Sequence, residues 1–291
     1  MARRLRMIVI CVLSLVLLCG VVWAAYELAG QSNKTAADAG SSAADMEMAS
    51  IDSVKPSTKA PATSQTQSKE SSLRNKVKSA DDKYKASLST AKSEISGSGK
   101  VSEGTRNKGM GHARAFRDAN EEFAKYWDSQ NLPSRARLAR EAGASRMASA
   151  DMAFNEVDSA KIDAYNRQQN SLREAQSAYL KDAKEDTTDE DRAAIKSGLK
   201  TSLNKVNNDV DSLYSTAVSL LSQVQQHVGL VTSPPTVGGC ARQIVSNPTL
   251  LTSDNPADGI ANLLGPLQAL VSLLSNMGGN LDTLLADVDA L

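Results

Sequence analysis

The chain has 291 residues and equal numbers of basic and acidic side chains, 33 of each, so it has no net charge with which to attract nucleic acid. Aromatic residues make up only 4% and β-branched runs are few, which argues against a large sheet, while abundant Ala and Leu among scattered charges favour long helices. Two histidines and three cysteines, two of the cysteines within one apolar run, leave no clustered metal ligands and no internal disulfide framework.

That apolar run comes first. Residues 7–25 read MIVICVLSLVLLCGVVWAA, without a charge, directly after Arg3, Arg4 and Arg6. At about 1.5 Å per residue a helix of this run covers about 28 Å, close to the ~30 Å hydrocarbon core of a bilayer. The arginines hold the N-terminus in the cytoplasm and send the rest outward, with Trp23 and Tyr26 at the outer interface. A cleaved signal peptide would use Val22-Trp23-Ala24 but normally has a shorter apolar core, and a lipid on Cys19 would follow the bulky Leu17 and Leu18. All three readings export residues 26–291, so the expected location is the cell membrane, or outside the cell if the signal is cleaved. Cys240 is then the one exported thiol, either packed in an interior or paired with another chain.

Residues 26–72 contain AADAGSSAADMEMAS and KPSTKAPATSQTQSKESS. Such small, polar sequence buries little apolar surface against the entropy of ordering, which predicts a disordered linker between membrane and domain. A first helix follows over 73–95, with Leu73, Val77, Ala80, Tyr84, Leu88, Ala91 and Ile95 on one face, ended by Gly97 and Gly99. The second runs from His112 to Ser129 on Phe116, Ala119, Phe123 and Trp127. Asn131-Leu132-Pro133-Ser134 is a turn, and a long third helix extends from Arg135 to Asp182, weakest near Gly143.

Thr188 followed by Asp189, Glu190 and Asp191 is a strong helix start. The fourth helix reaches about Val228 on a heptad-like stripe of Leu199, Leu203, Val206, Val210, Leu213, Ala217, Leu220 and Val224. The short link over 184–187 predicts an antiparallel coiled-coil hairpin of helices three and four. Residues 232–255 are irregular in pattern, with Pro234, Pro235, Gly238, Gly239 and Pro248. A leucine-rich helix over 260–277 is then expected to break at Gly278-Gly279 before a short last helix to Leu291. This tail has no Lys or Arg, only acids, and is too short and Pro-interrupted for a second span.

The sequence therefore predicts an all-α protein divided into an anchor (1–25), a linker (26–72), a helical bundle (73–230) and a loop with leucine-rich helices (231–291). Leu203, Val206, Val210, Leu213, Leu220 and Val224 are the packing or interaction residues, through which self-association or a protein partner is conceivable. Arg135, Arg137 and Arg140, with Arg146 nearby, form a basic cluster that can meet an anionic wall polymer or be balanced as a solvated face.

Motifs of catalysis are missing or incomplete. Gly99-Lys100 lacks the rest of a phosphate loop, Gly97-x-Gly99 lacks a dinucleotide fold's third glycine, and Ser197-x-x-Lys200 with Ser253-Asp254-Asn255 lacks the Lys-Thr-Gly partner of penicillin-recognising enzymes. No catalytic residue, metal ligand or cofactor is expected, and an enzyme is not. His112 and His227 lie far apart in the chain.

The start MARRLRMIVICVLSLVLLCG, the Ser/Thr/Ala-rich stretch and the heptad segment SLNKVNNDVDSLYSTAVSLLSQV give the chain a layout that resembles uncharacterised signal-anchored helical proteins of Gram-positive cell envelopes, some of them labelled colicin-transporter-like. The resemblance implies an exported, membrane-anchored helical domain with a structural or interaction role and carries over no functional residue. The alternative is a membrane-active or transport-associated protein that uses its leucine-rich tail.

Overall fold

A computed structural model describes the backbone of residues 2–58, 63–232 and 262–291, and the side chains of 27–58, 63–226 and 262–291. All regular structure among these residues is helical: α1 (Ala2–Asp52), α2 (Ser64–Ser98), α3 (Glu103–Ser129), α4 (Pro133–Phe154), α5 (Ser159–Asp186), α6 (Asp189–Thr232) and α7 (Leu264–Asp289). The side chains of the apolar run 7–25, His227 and the segment with Cys240 lie outside the described residues. Among the described residues no helix is long and apolar enough to cross a membrane.

The largest departure from the sequence reading concerns residues 26–72. They are not a linker: α1 continues through them to Asp52, α2 begins at Ser64, and among the described residues only 53–58 and 63 are free of helix. From Leu28 to Ile51, α1 is buried on nearly every side, with Ala36, Ala37, Ala39, Ala43, Ala44, Met46 and Ile51 in the core, and Val54 just beyond its end is buried with them. The helix packs against α2, α4 and α6. Small residues make this close approach feasible. A Cβ added at Gly40 would lie 2.9 Å from Ala153 Cβ and 3.4 Å from the Ser149 carbonyl of α4. Gly40→Val should therefore force α1 away from α4 and cost about 1–3 kcal/mol, read as a lowered melting temperature.

Contacts along the helices fix their directions. Asn33 Nδ2 donates to Gly99 O (3.0 Å) and Arg74 Nη1 donates to Ile51 O (3.1 Å), so α1 and α2 run antiparallel. Asn33 Oδ1 accepts from Val157 N (3.0 Å), while near the other end of α1 Tyr179 Oη accepts from Lys55 N and donates to Ser53 O (3.1 Å each), so α1 and α5 point the same way. α3 closes over α2 and α4, and α5, α7 and α6 close the other side.

Local signals set the boundaries. α2 starts in a capping box between Thr63 and Thr66 and ends at Gly99, whose φ of 72° is the left-handed geometry that favours glycine. Ser102 caps α3. Thr188 Oγ1 accepts from Asp191 N (3.1 Å), capping α6 where the sequence marks its start.

Three further expectations change. The long third helix is two: the break lies at residues 155–158 and not near Gly143, because Asp158 caps α5 through the amides of Ala160 and Lys161. The Phe154 ring, at the end of α4, fills the space a Cβ on Gly109 would need. The predicted hairpin is also not packed along its length: α5 and α6 are antiparallel and meet at their shared end, where Arg192 Nη1 donates to Lys184 O (3.0 Å), but α7 packs against both and lies between them. Finally, Gly278 and Gly279 do not break α7, which is one helix in the same core as the rest. Its Asn276 donates to Asn166 (2.5 Å) and Asn170 (2.9 Å), and Asn280 to Asn170 (3.0 Å), setting α7 parallel to α5. The acidic end of α7 docks on lysines of α6, with Lys200 Nζ 2.8 Å from Asp289 Oδ1.

Candidate functional site

The core contains charge. Glu47 of α1 and Arg146 of α4 are both fully buried, and Arg146 Nε donates to Glu47 Oε2 at 2.5 Å. Arg146 Nη2 lies 2.8 Å from Asp81 Oδ1 of α2 and donates to Ala44 O at 3.2 Å. Asp81 Oδ2 meets Lys85 Nζ at 3.0 Å, Lys85 meets Asp45 Oδ1 of α1 at 2.7 Å, and Asp45 Oδ2 meets Lys205 Nζ of α6 at 3.5 Å. The order Glu47–Arg146–Asp81–Lys85–Asp45–Lys205 alternates sign from the dry interior to a lysine side chain that is 70% exposed. It ties α1 to α2, α4 and α6.

Neighbours complete the inner end. Ser145 Oγ donates to Glu47 Oε1 (2.5 Å) and accepts from Gln169 Nε2 of α5 (2.7 Å). The Arg146 guanidinium carbon lies 3.8 Å from the Phe116 ring centroid and 4.5 Å from that of Tyr84, a stacking that a delocalised cation suits. Burial opposes the charge on Arg146, but Glu47 and Asp81 outweigh it and the guanidinium holds its proton more tightly than usual. Burial likewise raises the phenols of Tyr84 and Tyr165, keeping both neutral. For Asp45 and Lys85 burial is again opposed and outweighed, by Lys85 and Lys205 for the acid and by Asp45 and Asp81 for the base, so both stay charged.

Glu47 behaves differently. Burial pushes its carboxyl from 4.5 up to about 6, and Arg146 and Ser145 only partly restrain the rise. The folded state therefore binds this proton more tightly than the unfolded chain does. Stability from Glu47 is fullest below about 4.5, falls as pH rises towards about 6, and is level above that. The change is on the order of 2 kcal/mol. Glu47→Gln keeps the shape without the charge and leaves Arg146 its Asp81 partner. The difference in stability between wild type and Glu47→Gln should accordingly change across pH 4.5–6 in that direction and be flat at pH 7–8, by urea titration at each pH.

A second buried pair closes the far end of the bundle. Arg135 Nη1 donates to Asp186 Oδ2 at 2.7 Å and Nε to Lys55 O at 3.3 Å. Asp186 Oδ1 accepts from Ser57 Oγ (2.7 Å), and the Asp186 carbonyl accepts from Thr58 N (3.0 Å). This joint holds the α1–α2 connection against α4 and α5.

The basic cluster expected on the surface is thus divided. Arg135 and Arg146 are buried and paired, because they share a helix face with Ala139, Ala142 and Ala153, which are also buried. Arg137 is half-exposed beside Glu174 (3.4 Å), and Arg140 pairs with Asp128 and with Glu121 (3.2 Å). Exposed pairs of this kind are worth at most about 1 kcal/mol. On α6, Leu203, Val206, Val210, Leu220 and Val224 are buried and Leu213 is partly buried against the same core, so this stripe is covered within the chain.

One arrangement has the look of catalysis. Ser87 Oγ and His112 Nδ1 are 2.8 Å apart. Ser87 Oγ also lies 3.2 Å from the Lys83 carbonyl of its own helix, and the Ser87–His112 contact joins α2 to α3. Among the described residues no group of three His, Cys, Asp or Glu side chains is placed to hold a metal ion. Comparison with family models, curated proteins and solved structures gives no match to the chain.

Proposed function

We propose that the chain is a membrane-tethered helical strut of the cell envelope, which displays the far end of its bundle at a fixed distance from the lipid. One observation carries this reading: α1 is continuous from Ala2 to Asp52, so the helix that bears the apolar run is the helix around which the bundle is built. A span that enters its domain without a flexible joint transmits position and orientation, which suits a structural role. From Tyr26 to Lys55 such a helix rises on the order of 40 Å. The α2–α3 and α4–α5 turns, held at Asn33, would face the membrane, and the Arg135–Asp186 joint would face away.

The tail-inserting alternative has less support. Leu267, Leu270, Leu273, Leu274, Leu281 and Leu284 of α7 are buried in the bundle and would have to leave it to meet lipid. Protease added outside intact cells should digest the protein, and the membrane fraction should retain it through carbonate washing. Protease resistance combined with recovery in the soluble fraction would overturn the tethered reading.

A further inference from the structure

The inward stripe of α6 is covered by the core, and the outer face of the same helix has a different character. From Ser212 to its end at Thr232, α6 carries no Asp, Glu, Lys or Arg, and α7 carries none from Leu264 to Leu281. Helices α2 to α5 nowhere run more than about two turns without a charge. The two charge-free halves lie side by side. Lys200 of α6 meets Asp289 at the other end of α7, and Tyr214 and Leu221 line one groove with Gln268, Val271 and Ser275. Both halves point to the end of the bundle at which α1 enters, since Asp186, just before α6, meets Thr58, and Lys205 lies beside Asp45.

Among the described residues the exposed large apolar side chains are Tyr214 at 40% and Val218 at 41%, one turn apart on this face. The groove beside them is open and measures about 550 Å³. Gln225, also exposed, continues the same line seven residues after Val218. The exposed residues around them on the two helices are Ser, Thr and Gln, which do not repel a like surface.

We infer that this face receives a second copy of the chain, packed side by side in the same direction, with Tyr214, Val218 and Gln225 against their own counterparts. The orientation rests on the tethered reading above: two copies held in one membrane by α1 present the same end to the lipid, so the two-fold axis runs along the bundle. In such a pair every residue near the axis meets itself, and a charged residue there would face its own like charge. The charge-free halves of α6 and α7 meet that condition, and Asp211, seven residues before Val218, marks where the copies part. From Tyr214 to Gln225 the line is on the order of 17 Å long. That is short for a dimer of free molecules, and anchoring in one membrane supplies the local concentration that the contact lacks.

Cysteine crosslinking in cells tests this. Full-length protein with Cys11, Cys19 and Cys240 replaced by Ser carries one of Tyr214→Cys, Val218→Cys, Gln225→Cys or, as comparison, Ala115→Cys on α3, which packs on α2 and α4. Cells are oxidised with copper phenanthroline, and membrane and soluble fractions are run without reductant. Positions 214, 218 and 225 should each give a disulfide-linked dimer, at least tenfold more than position 115. Val218→Asp added to Tyr214→Cys should lower the dimer yield at least tenfold and keep the parent's circular dichroism spectrum, because residue 218 faces solvent in the single chain. The inference is overturned if the three positions crosslink no better than 115, which is the outcome if another protein or another part of this chain covers the face. It is equally overturned if 218 crosslinks without 214 and 225, as in an antiparallel pair, or if Val218→Asp leaves the yield unchanged. Recovery in the soluble fraction would count against the tether instead, and the crosslinking pattern is read in whichever fraction holds the protein, so the two failures stay distinct.

Discussion

A chain beginning at residue 73, where composition would place the domain boundary, is expected not to melt cooperatively, whereas one beginning at residue 26 is. The first lacks all of α1. Its removal strips Leu28, Met46, Met48, Ile51 and Val54 from the core together with the small residues between them. Each large apolar side chain contributes about 1.5–3 kcal/mol when buried, so the five together amount to about 10 kcal/mol, comparable to the whole stability of an ordinary domain. The loss is larger still because Arg146 forfeits Glu47 and the facing surfaces of α4 and α6 are laid bare. Circular dichroism melts of the two chains decide the matter. If the shorter one unfolds in a single sharp transition at the temperature of the longer, α1 is peripheral.

Arg146→Leu should be the most damaging single substitution, at about 3–5 kcal/mol, the range seen when one member of a buried ion pair is removed. The guanidinium is the cation for two carboxylates. Asp81 would keep Lys85 at 3.0 Å, but Glu47, fully buried, would keep only the hydroxyl of Ser145. Adding Glu47→Leu to Arg146→Leu removes the stranded charge and should recover at least half of the loss, because a buried pair replaced by apolar groups is often near neutral. Urea midpoints of the two single variants and the double variant form a cycle that isolates the coupling. A single variant losing less than about 1 kcal/mol would mean that Arg146 is not the keystone of these charges.

The periodic helices were readable because large apolar side chains mark a face. The stripe from Leu199 to Val224 and the cap at Thr188 stand where residue spacing and side-chain chemistry put them. α1 was hidden because its signal is inverted. A helix buried on nearly every side by Ala, Ser and Gly has no hydrophobic stripe, and its periodicity resides in the residues that face out. Glu27, Gln31, Lys34, Asp38, Ser41, Asp45 and Asp52 are the more exposed positions, at steps of three, four or seven. Read as polar composition they indicate disorder, and read as a heptad they indicate a helix with one wet edge.

The buried charges were missed for a related reason. Asp81 lies four residues after Val77 and one after Ala80, on the face that carries Tyr84, and Arg135 and Arg146 fall in register with Ala139, Ala142 and Ala153. A charge in the register of a core face is the available clue. Its partner Glu47 lies about a hundred residues away in a segment the same reading sets aside, so the pairing itself had no local trace. The continuity of α7 through Gly278 and Gly279 is a tertiary effect: packing against α5 and α6 outweighs the roughly 1 kcal/mol each glycine costs in a helix.

The central claim, that α1 is the axis of the bundle, is tested most directly by hydrogen–deuterium exchange of the full-length protein, followed peptide by peptide. Peptides spanning residues 28–54 should be protected as strongly as those of α3 and α4 and should exchange only with global unfolding. Complete exchange of that stretch within seconds, while α3 and α4 stay protected, would contradict the account.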